Sequence, residues 1–213
     1  MHVDRVTVIF FAGLVVAIIL HEISHGVVAF ALGDDTAKRA GRLTLNPVPH
    51  VDPFGSIFLP VVGALTHVPV IGWAKPVPVT TRYLRQPRRD YMLIAAAGPA
   101  SNLLMALAAS LVGLILPVSP QALGEPNVTA PLAAILGQLL RLNVLLAVFN
   151  MIPIPPLDGG NVLAALLPSS LALSFNRLRP YGFILLYALI LTGGFEHIVV
   201  PPYQFIVSWL PTK

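Results

Sequence analysis

Apolar residues are concentrated in four long runs, which polar and proline-rich stretches separate. The runs cover residues 6–32, 91–116, 131–150 and 181–200. Because a helix rises about 1.5 Å per residue, each run is long enough to cross a hydrocarbon core of about 30 Å. The pattern therefore predicts an all-α, polytopic membrane protein that folds as a helical bundle of about four spans.

The connection between the first two spans is less regular. Residues 54–71 are apolar but interrupted by glycines, prolines and His67, which suits either a poor spanning helix or a re-entrant loop. Just before them, residues 43–46 alternate between apolar and polar positions and predict a short exposed-edge strand followed by turns. We therefore expect a re-entrant loop or short β-hairpin between these spans.

The whole chain is expected to form a single membrane-embedded domain over residues 1–213. Its core would cover residues 6–160, and residues 181–213 would add a C-terminal span and an interfacial tail rich in aromatic residues. The first apolar run lacks a small-residue cleavage site, so we expect a retained helix and not a signal peptide.

Composition supports the membrane assignment. Hydrophobic residues make up 56% of the chain and charged residues 10%, and the mean hydropathy is +0.81, which excludes an ordinary soluble protein. The net charge of +4 comes from basic residues in short loops between apolar runs, which indicates topology determinants and not a nucleic-acid partner. The chain has no cysteine, so a disulfide framework and a cysteine-based zinc site are both excluded.

Three ionisable residues, His21, Glu22 and His25, lie inside the first apolar run. Such residues are costly at membrane depth and by default mark a functional site. On a helix the two histidines share a face, one turn apart, with Glu22 beside them, which is the HExxH arrangement of zinc hydrolases. The alternative is a set of polar groups paired between packed helices, but residues 6–32 contain no Lys or Arg to pair with Glu22. The pattern favours a metal site.

A catalytic zinc ion takes three protein ligands, so His21 and His25 need a partner. The candidates are Asp34, Asp35, His50, Asp52, His67, Asp90, Asp158, Glu196 and His197. Asp158 is favoured, because prolines before it and Gly159-Gly160 after it allow the backbone to turn and aim the carboxylate inward. Its alternative is a turn aspartate bonded to nearby amides.

Four of the other candidates have simpler interpretations. Asp34 and Asp35 follow the first apolar run and are expected to be surface residues that end its helix. His50 and Asp52 could stand beside the site or simply form turns.

Two separated motifs carry a resemblance to a known family. One is His21-Glu22-Ile23-Ser24-His25-Gly26, and the other is Asn150-Met151-Ile152-Pro153-Ile154-Pro155-Pro156-Leu157-Asp158-Gly159-Gly160. With residues 41–55 and 72–79, they make the chain resemble the site-2 protease family of intramembrane zinc metalloproteases, in its small bacterial and archaeal branch without PDZ domains. The resemblance implies that His21, His25 and Asp158 bind one zinc ion per chain and that Glu22 is the general base. It also implies a core of three helices, with the active site nearer the cytoplasmic side.

The two parts of the predicted site must lie at the same side of the membrane. For the histidines and Asp158 to meet, an even number of crossings must separate them, and the spans at 91–116 and 131–150 already provide two. Residues 54–71 should therefore be re-entrant. The loops at 33–90 and 151–180 then both lie in the cytoplasm, and together they hold 10 of the 13 Lys and Arg residues.

The expected reaction is hydrolysis of a peptide bond in or beside a transmembrane segment of a membrane protein substrate. Residues 43–46, with Thr44 and Asn46, could hold the unwound substrate by strand addition, and Asn150 could bond its freed backbone. A membrane metal-ion transporter or metal sensor would use the same His and Asp residues and is the alternative function. A third possibility is an inactive family member that only binds membrane partners.

Overall fold

The computed structural model describes residues 5–66, 72–115 and 129–211, and within these ranges the regular elements are all helical. The α-helices are α1 (Arg5–Ala31), α2 (Thr36–Arg39), α3 (Leu59–Thr66), α4 (Pro87–Ile115), α5 (Thr129–Asn150), α6 (Asp158–Leu166), α7 (Ser169–Asn176), α8 (Gly182–Leu191) and α9 (Gly194–Trp209). A single π-helical turn covers Pro53–Phe58, and short 3-10 turns cover Val48–His50, Thr81–Tyr83 and Arg179–Tyr181.

Three of these helices, α1, α4 and α5, are long and apolar enough to cross a membrane, and they match the first three predicted spans. The central helix of the bundle is α4, which packs against α1, α5 and α6. Its buried face carries small residues such as Ala95, Ala106 and Ala109, which let neighbouring helices approach closely. The all-α bundle that the sequence predicts is confirmed.

The predicted final span differs from the structure. Residues 181–200 do not form one helix, because Gly193 adopts a φ of +75°, a conformation that favours glycine, and separates α8 from α9. The helical stretches on the two sides of this break meet at 83°. The described chain thus has three spanning helices, or four if the bent pair is one broken span. The predicted interfacial tail belongs to α9, where Tyr203 and Ile206 pack on a core of α4 and α5 side chains.

The predicted strand at residues 43–46 is absent, and the described residues contain no β-hairpin. Thr44 Oγ1 accepts a hydrogen bond from the Asn46 N–H at 3.2 Å, and Asn46 Oδ1 accepts one from the Val48 N–H at 3.1 Å. Such local side-chain bonds compete with strand pairing and hold the segment in turns. The prediction of a strand from the alternation of apolar and polar residues is therefore wrong.

The re-entrant prediction agrees with the structure. The Trp73 N–H donates to the Gly55 oxygen at 3.3 Å, and the Ser56 hydroxyl donates to the Trp73 oxygen at 2.8 Å. The apolar segment between residues 55 and 73 therefore begins and ends at the same place. The π-helical turn of six residues continues into α3, which has eight, and together they reach at most about 21 Å, less than a hydrocarbon core of about 30 Å.

Asp34 connects the end of α1 to the chain that precedes α4. It is fully buried and accepts hydrogen bonds from the N–H and hydroxyl of Thr36 and from the N–H of Thr80. Burial alone would raise the pKa of Asp34, but these hydrogen bonds lower it, and the net pKa lies below its usual value. The expectation that Asp34 is a surface residue is wrong, because its carboxylate satisfies buried donors. Asp35 does lie near the surface, where it pairs with Arg39 at 2.7 Å.

The hydrogen bond between Trp73 and Gly55 predicts that the chain enters and leaves the re-entrant segment on one side of the membrane. The exposed residues Leu45 and Arg82 stand on the two sides of the re-entrant segment, so both should face the same side of the membrane. Since the chain has no cysteine of its own, Leu45→Cys and Arg82→Cys can each be labelled with a membrane-impermeant maleimide in oriented vesicles. We expect both to react from the same side. Labelling from opposite sides would mean that residues 54–71 cross the membrane.

Candidate metal centre

The two histidines of α1 face the interior of the bundle, against α4. His21 is 7% exposed and His25 is 9% exposed. Their Nε2 atoms lie 3.1 Å apart, so the imidazoles of successive helical turns meet at one point. This is the arrangement that the spacing of four residues predicts.

Asp158 reaches the same point through the turn that follows α5. Its Oδ2 lies 3.1 Å from Nε2 of His21 and 3.4 Å from Nε2 of His25. The three ligand atoms form the one group of potential metal ligands found among the described residues.

The local backbone explains how Asp158 is aimed. Three prolines within residues 153–156 keep the chain after α5 out of a regular helix, and α6 then begins at Asp158 itself. The loop folds back so closely that a Cβ on Gly159 would lie 2.2 Å from the Met151 oxygen. A side chain at position 159 would therefore push Asp158 away from the histidines.

The proton on His25 can be placed from its second hydrogen bond. Nδ1 of His25 lies 2.6 Å from the main-chain oxygen of Ile94. A carbonyl oxygen can only accept, so Nδ1 carries the proton, and Nε2 of the neutral ring keeps its lone pair.

A chain of amide groups places the proton on His21 in the same way. Asn143 Nδ2 donates to the Leu139 oxygen at 2.8 Å, so its Oδ1 is the atom that accepts from Asn102 Nδ2 at 2.8 Å. Asn102 Oδ1 is then left facing Nδ1 of His21 at 2.6 Å, and this nitrogen must be the donor. His21 Nε2 also keeps its lone pair.

The resulting cluster fits a metal ion. Two nitrogens, which keep their lone pairs when the rings are neutral, and a carboxylate oxygen lie 3.1 to 3.4 Å apart, and the Asp158 oxygen is buried without a hydrogen-bond donor among the described residues. Three such atoms repel one another unless a cation lies between them. A tetrahedral zinc ion with bonds of about 2.0 Å would hold its ligand atoms about 3.3 Å apart, which matches these distances.

Glu22 lies next to this cluster and is only partly buried. Its Oε2 accepts a hydrogen bond of 2.9 Å from the N–H of Val77, in the chain between the re-entrant segment and α4. Glu22 does not contribute to the group of three ligand atoms.

Two residues of α4 build the site in ways that the sequence reading missed. A Cβ on Gly98 would lie 2.5 Å from His25 Nε2 and 2.6 Å from His21 Nε2, so this position must be glycine for the imidazoles to fit. Asn102 orients His21, although from sequence it is only a polar residue in a span. The available signal was the spacing of four between Gly98 and Asn102, which places them on one face of α4.

The remaining ligand candidates are engaged elsewhere, apart from His67, which lies outside the described residues. Asp90 accepts from the Gln86 N–H at the start of α4, and His197 Nδ1 donates to the main-chain oxygen of Gly193, just before α9. His50 Nε2 donates to the Thr44 oxygen at 2.9 Å, and Asp52 accepts from two N–H groups of the π-helical turn. His50 and Asp52 therefore form turns, and Glu196 is exposed on α9.

The three residues predicted to bind substrate make local hydrogen bonds. Asn150 Nδ2 donates to the Leu146 oxygen at 3.0 Å within α5. Thr44 and Asn46 hold the turn already described. Their contact with a substrate stays a prediction.

Gly98→Ala tests the close approach of α4 to the imidazoles. The added methyl group would overlap both Nε2 atoms, so zinc affinity should fall by about tenfold or more. Gly113→Ala is the matched control on the same helix, since a Cβ there meets nothing within 4 Å. Zinc titration of the two purified variants gives the comparison, and equal affinities would contradict the described packing.

Asn102→Ala tests the hydrogen bond that orients His21. The change removes the acceptor for Nδ1 and leaves Asn143 Oδ1 without its donor, so zinc affinity should fall by about 10- to 100-fold. Ser208→Ala, which loses an exposed hydroxyl on α9, serves as the control. A folded Asn102→Ala protein with unchanged zinc affinity would show that the amide does not act on the metal site.

Comparison with known proteins identifies the family of the chain. The family model for peptidase family M50 matches residues 9–192. The chain is 38% identical over 191 residues to zinc metalloprotease YwhC of Bacillus subtilis (strain 168), covering 88% of the chain and 82% of that protein. It is 31% identical over 188 residues to zinc metalloprotease Rip2 of Mycolicibacterium smegmatis, with coverages of 88% and 68%. No solved structure matches it significantly. Since the match covers most of the chain and includes the histidines, Asp158 and the three spanning helices, the chain belongs to peptidase family M50, the site-2 proteases, as a multi-pass membrane zinc metallopeptidase.

Proposed function

We propose that this chain is an intramembrane protease that hydrolyses a peptide bond in or beside a transmembrane segment of another membrane protein. The observation that carries the proposal is the position of the cluster. His21, Glu22 and His25 lie within α1, a helix long and apolar enough to span a membrane. Ionisable groups are costly at that depth, so a reaction on a substrate at the same depth accounts for their presence.

In this proposal His21, His25 and Asp158 hold one zinc ion per chain. Zinc supplies Lewis-acid chemistry there, because it lowers the pKa of a water molecule and polarises the scissile carbonyl. Glu22 takes a proton from the attacking water and passes it to the leaving amine. Asn102 keeps His21 in the tautomer whose Nε2 is free to bind the metal.

The substrate must be locally unwound before cleavage, because a helix hides its carbonyls in hydrogen bonds. We propose that Thr44 and Asn46 bind the unwound backbone and that Asn150 bonds its freed groups. Leu43 packs on Gly26, the residue after His25, which puts the 43–46 turn beside the catalytic end of α1. Because this turn is not a strand, any pairing with the substrate would have to form on binding.

We place the active site nearer the cytoplasmic side. The loops at residues 33–90 and 151–180 carry 10 of the 13 Lys and Arg residues, and the positive-inside rule assigns such loops to the cytoplasm. The ends of α1 and α5 that lead to the cluster open into these loops. We also propose that residues 1–213 act as one domain, with residues 6–160 as the catalytic core.

Glu22→Gln tests the reaction directly. The purified variant should bind zinc like the wild type but cleave a tagged single-span reporter about 10²- to 10⁴-fold more slowly, since the general base is lost. Glu196→Gln, an exposed carboxylate on α9, is the control and should cleave normally. Cleavage at the wild-type rate by Glu22→Gln would mean that another group takes the proton.

Two further measurements separate this function from the alternatives. Asp158→Ala should lower the zinc content, and an unchanged zinc stoichiometry would contradict the third ligand. Zinc flux into vesicles that hold the wild type, without any cleavage of the reporter, would instead indicate a transporter. The absence of both cleavage and flux would indicate an inactive member of the family.

A further inference from the structure

A segment without helix or strand, residues 72–80, passes beside Glu22. Its N–H groups are bonded at alternate residues, as in a strand. The Trp73 N–H donates to the Gly55 oxygen in the π-helical turn, and the Lys75 N–H donates to the His50 oxygen at the end of the 3-10 turn Val48–His50. At the next alternate position, the N–H of Val77 donates to Oε2 of Glu22 at 2.9 Å.

Val77 lies between two prolines, so its N–H has no neighbouring main-chain donor that could take its place. Pro76 and Pro78 have no N–H, so Val77 carries the only main-chain donor between residues 76 and 78. The bond joins a neutral donor to a carboxylate, which is among the stronger hydrogen bonds in proteins. Among the described residues, no other hydrogen bond to the Glu22 carboxylate is found.

The segment is held in place by bonds that do not involve Glu22. Arg42 is only 5% exposed, and its guanidinium donates to the Lys75 oxygen and, at 3.3 Å, to the Pro76 oxygen. Three residues after Val77, the N–H of Thr80 donates to the buried Asp34 carboxylate. The chain is therefore fixed on both sides of Val77.

The Val77 side chain provides a further anchor. It is 9% exposed, and its Cγ1 lies 3.2 Å from the position that a Cβ on Gly26 would occupy. Gly26 follows His25 in α1, so Val77 packs on the same helix that carries Glu22 and the histidines. The amide is thus a fixed point relative to the metal centre.

We propose that the Val77 N–H is a positioning group for Glu22. It holds Oε2 of the carboxylate and leaves Oε1 free to receive the proton of the attacking water. A Glu side chain has three rotatable bonds, so a fixed donor removes conformers in which the carboxylate turns away from the cluster. The inference rests on the proposed role of Glu22 as general base. It adds that Pro76 and Pro78 serve to present one main-chain donor.

Hydrogen exchange tests the bond without measuring activity. A proteolytic fragment in which only Val77 contributes an exchangeable amide across residues 76–78 reports this N–H, because the flanking prolines have none. In the purified protein Glu22→Ala should speed exchange at Val77 by about tenfold or more, while the Lys75 amide, bonded to the His50 oxygen, stays unchanged. Unchanged exchange at Val77 would overturn the proposal.

A backbone ester at position 77 tests the kinetic role. Replacing valine by its α-hydroxy acid removes the N–H and keeps the side chain, and Val77→Pro is a second variant without the donor. For both we expect kcat to fall by about 10- to 100-fold with KM and zinc content near the wild-type values. The same ester replacement at Val79, whose N–H makes no hydrogen bond among the described residues, is the matched control and should leave kcat near the wild-type value.

A double variant separates positioning from a general structural role. If Val77 acts through Glu22, the ester should cause no further loss in the Glu22→Gln background. A further loss there, or a wild-type kcat for the ester protein, would overturn the inference while leaving Glu22 as the base. If Glu22→Gln itself cleaves normally, the proposed function fails first, and the exchange experiment still reports whether the hydrogen bond exists.

Discussion

The structure depends on three potential ligand atoms, two imidazole nitrogens and one carboxylate oxygen, that are brought within 3.4 Å of one another in the apolar bundle. Two come from α1 and one from the start of α6, so the cluster joins the first span to the turn that follows the third. Without a cation these lone pairs repel one another, and closing the bundle would be unfavourable there. A metal ion held by these three atoms would therefore couple its own binding to the placement of Asp158 beside α1, as in other proteins whose metal site is not formed in the unfolded chain.

The helix α4 serves as the template for this cluster. Three of its residues, spaced by four, face the metal centre on successive turns. The Ile94 oxygen receives the proton of one imidazole, Gly98 provides the space for both rings, and Asn102 receives the proton of the other. These three positions of α4 thus contact the two histidines of α1 on successive helical turns. Hydrogen bonds as well as packing therefore fix the position of α4 along α1.

The parts of the site that could be predicted from sequence have local causes. His21, Glu22 and His25 are recognised by helical spacing, and Asp158 by the prolines and glycines that surround it. Asn102 could not be assigned, because its partner His21 is 81 residues away and its role depends on which face of α4 meets α1. The strand at 43–46 and the unbroken helix at 181–200 failed for the opposite reason, since local turn bonds and a left-handed glycine overrode the hydrophobic pattern.

The re-entrant loop also helps to fix residues 72–80, the segment that bonds to Glu22. The contact of Trp73 with Gly55 fixes one end of this segment, and the bond of Thr80 to Asp34 fixes the other. Pro76 and Pro78 lie between these points, and the fixed φ of each proline leaves the residues there with little freedom to rearrange. The entropy of ordering is then lost once, when the loop closes, and a bond formed in the middle of the segment adds little further cost. The re-entrant loop thereby stabilises the geometry around Glu22.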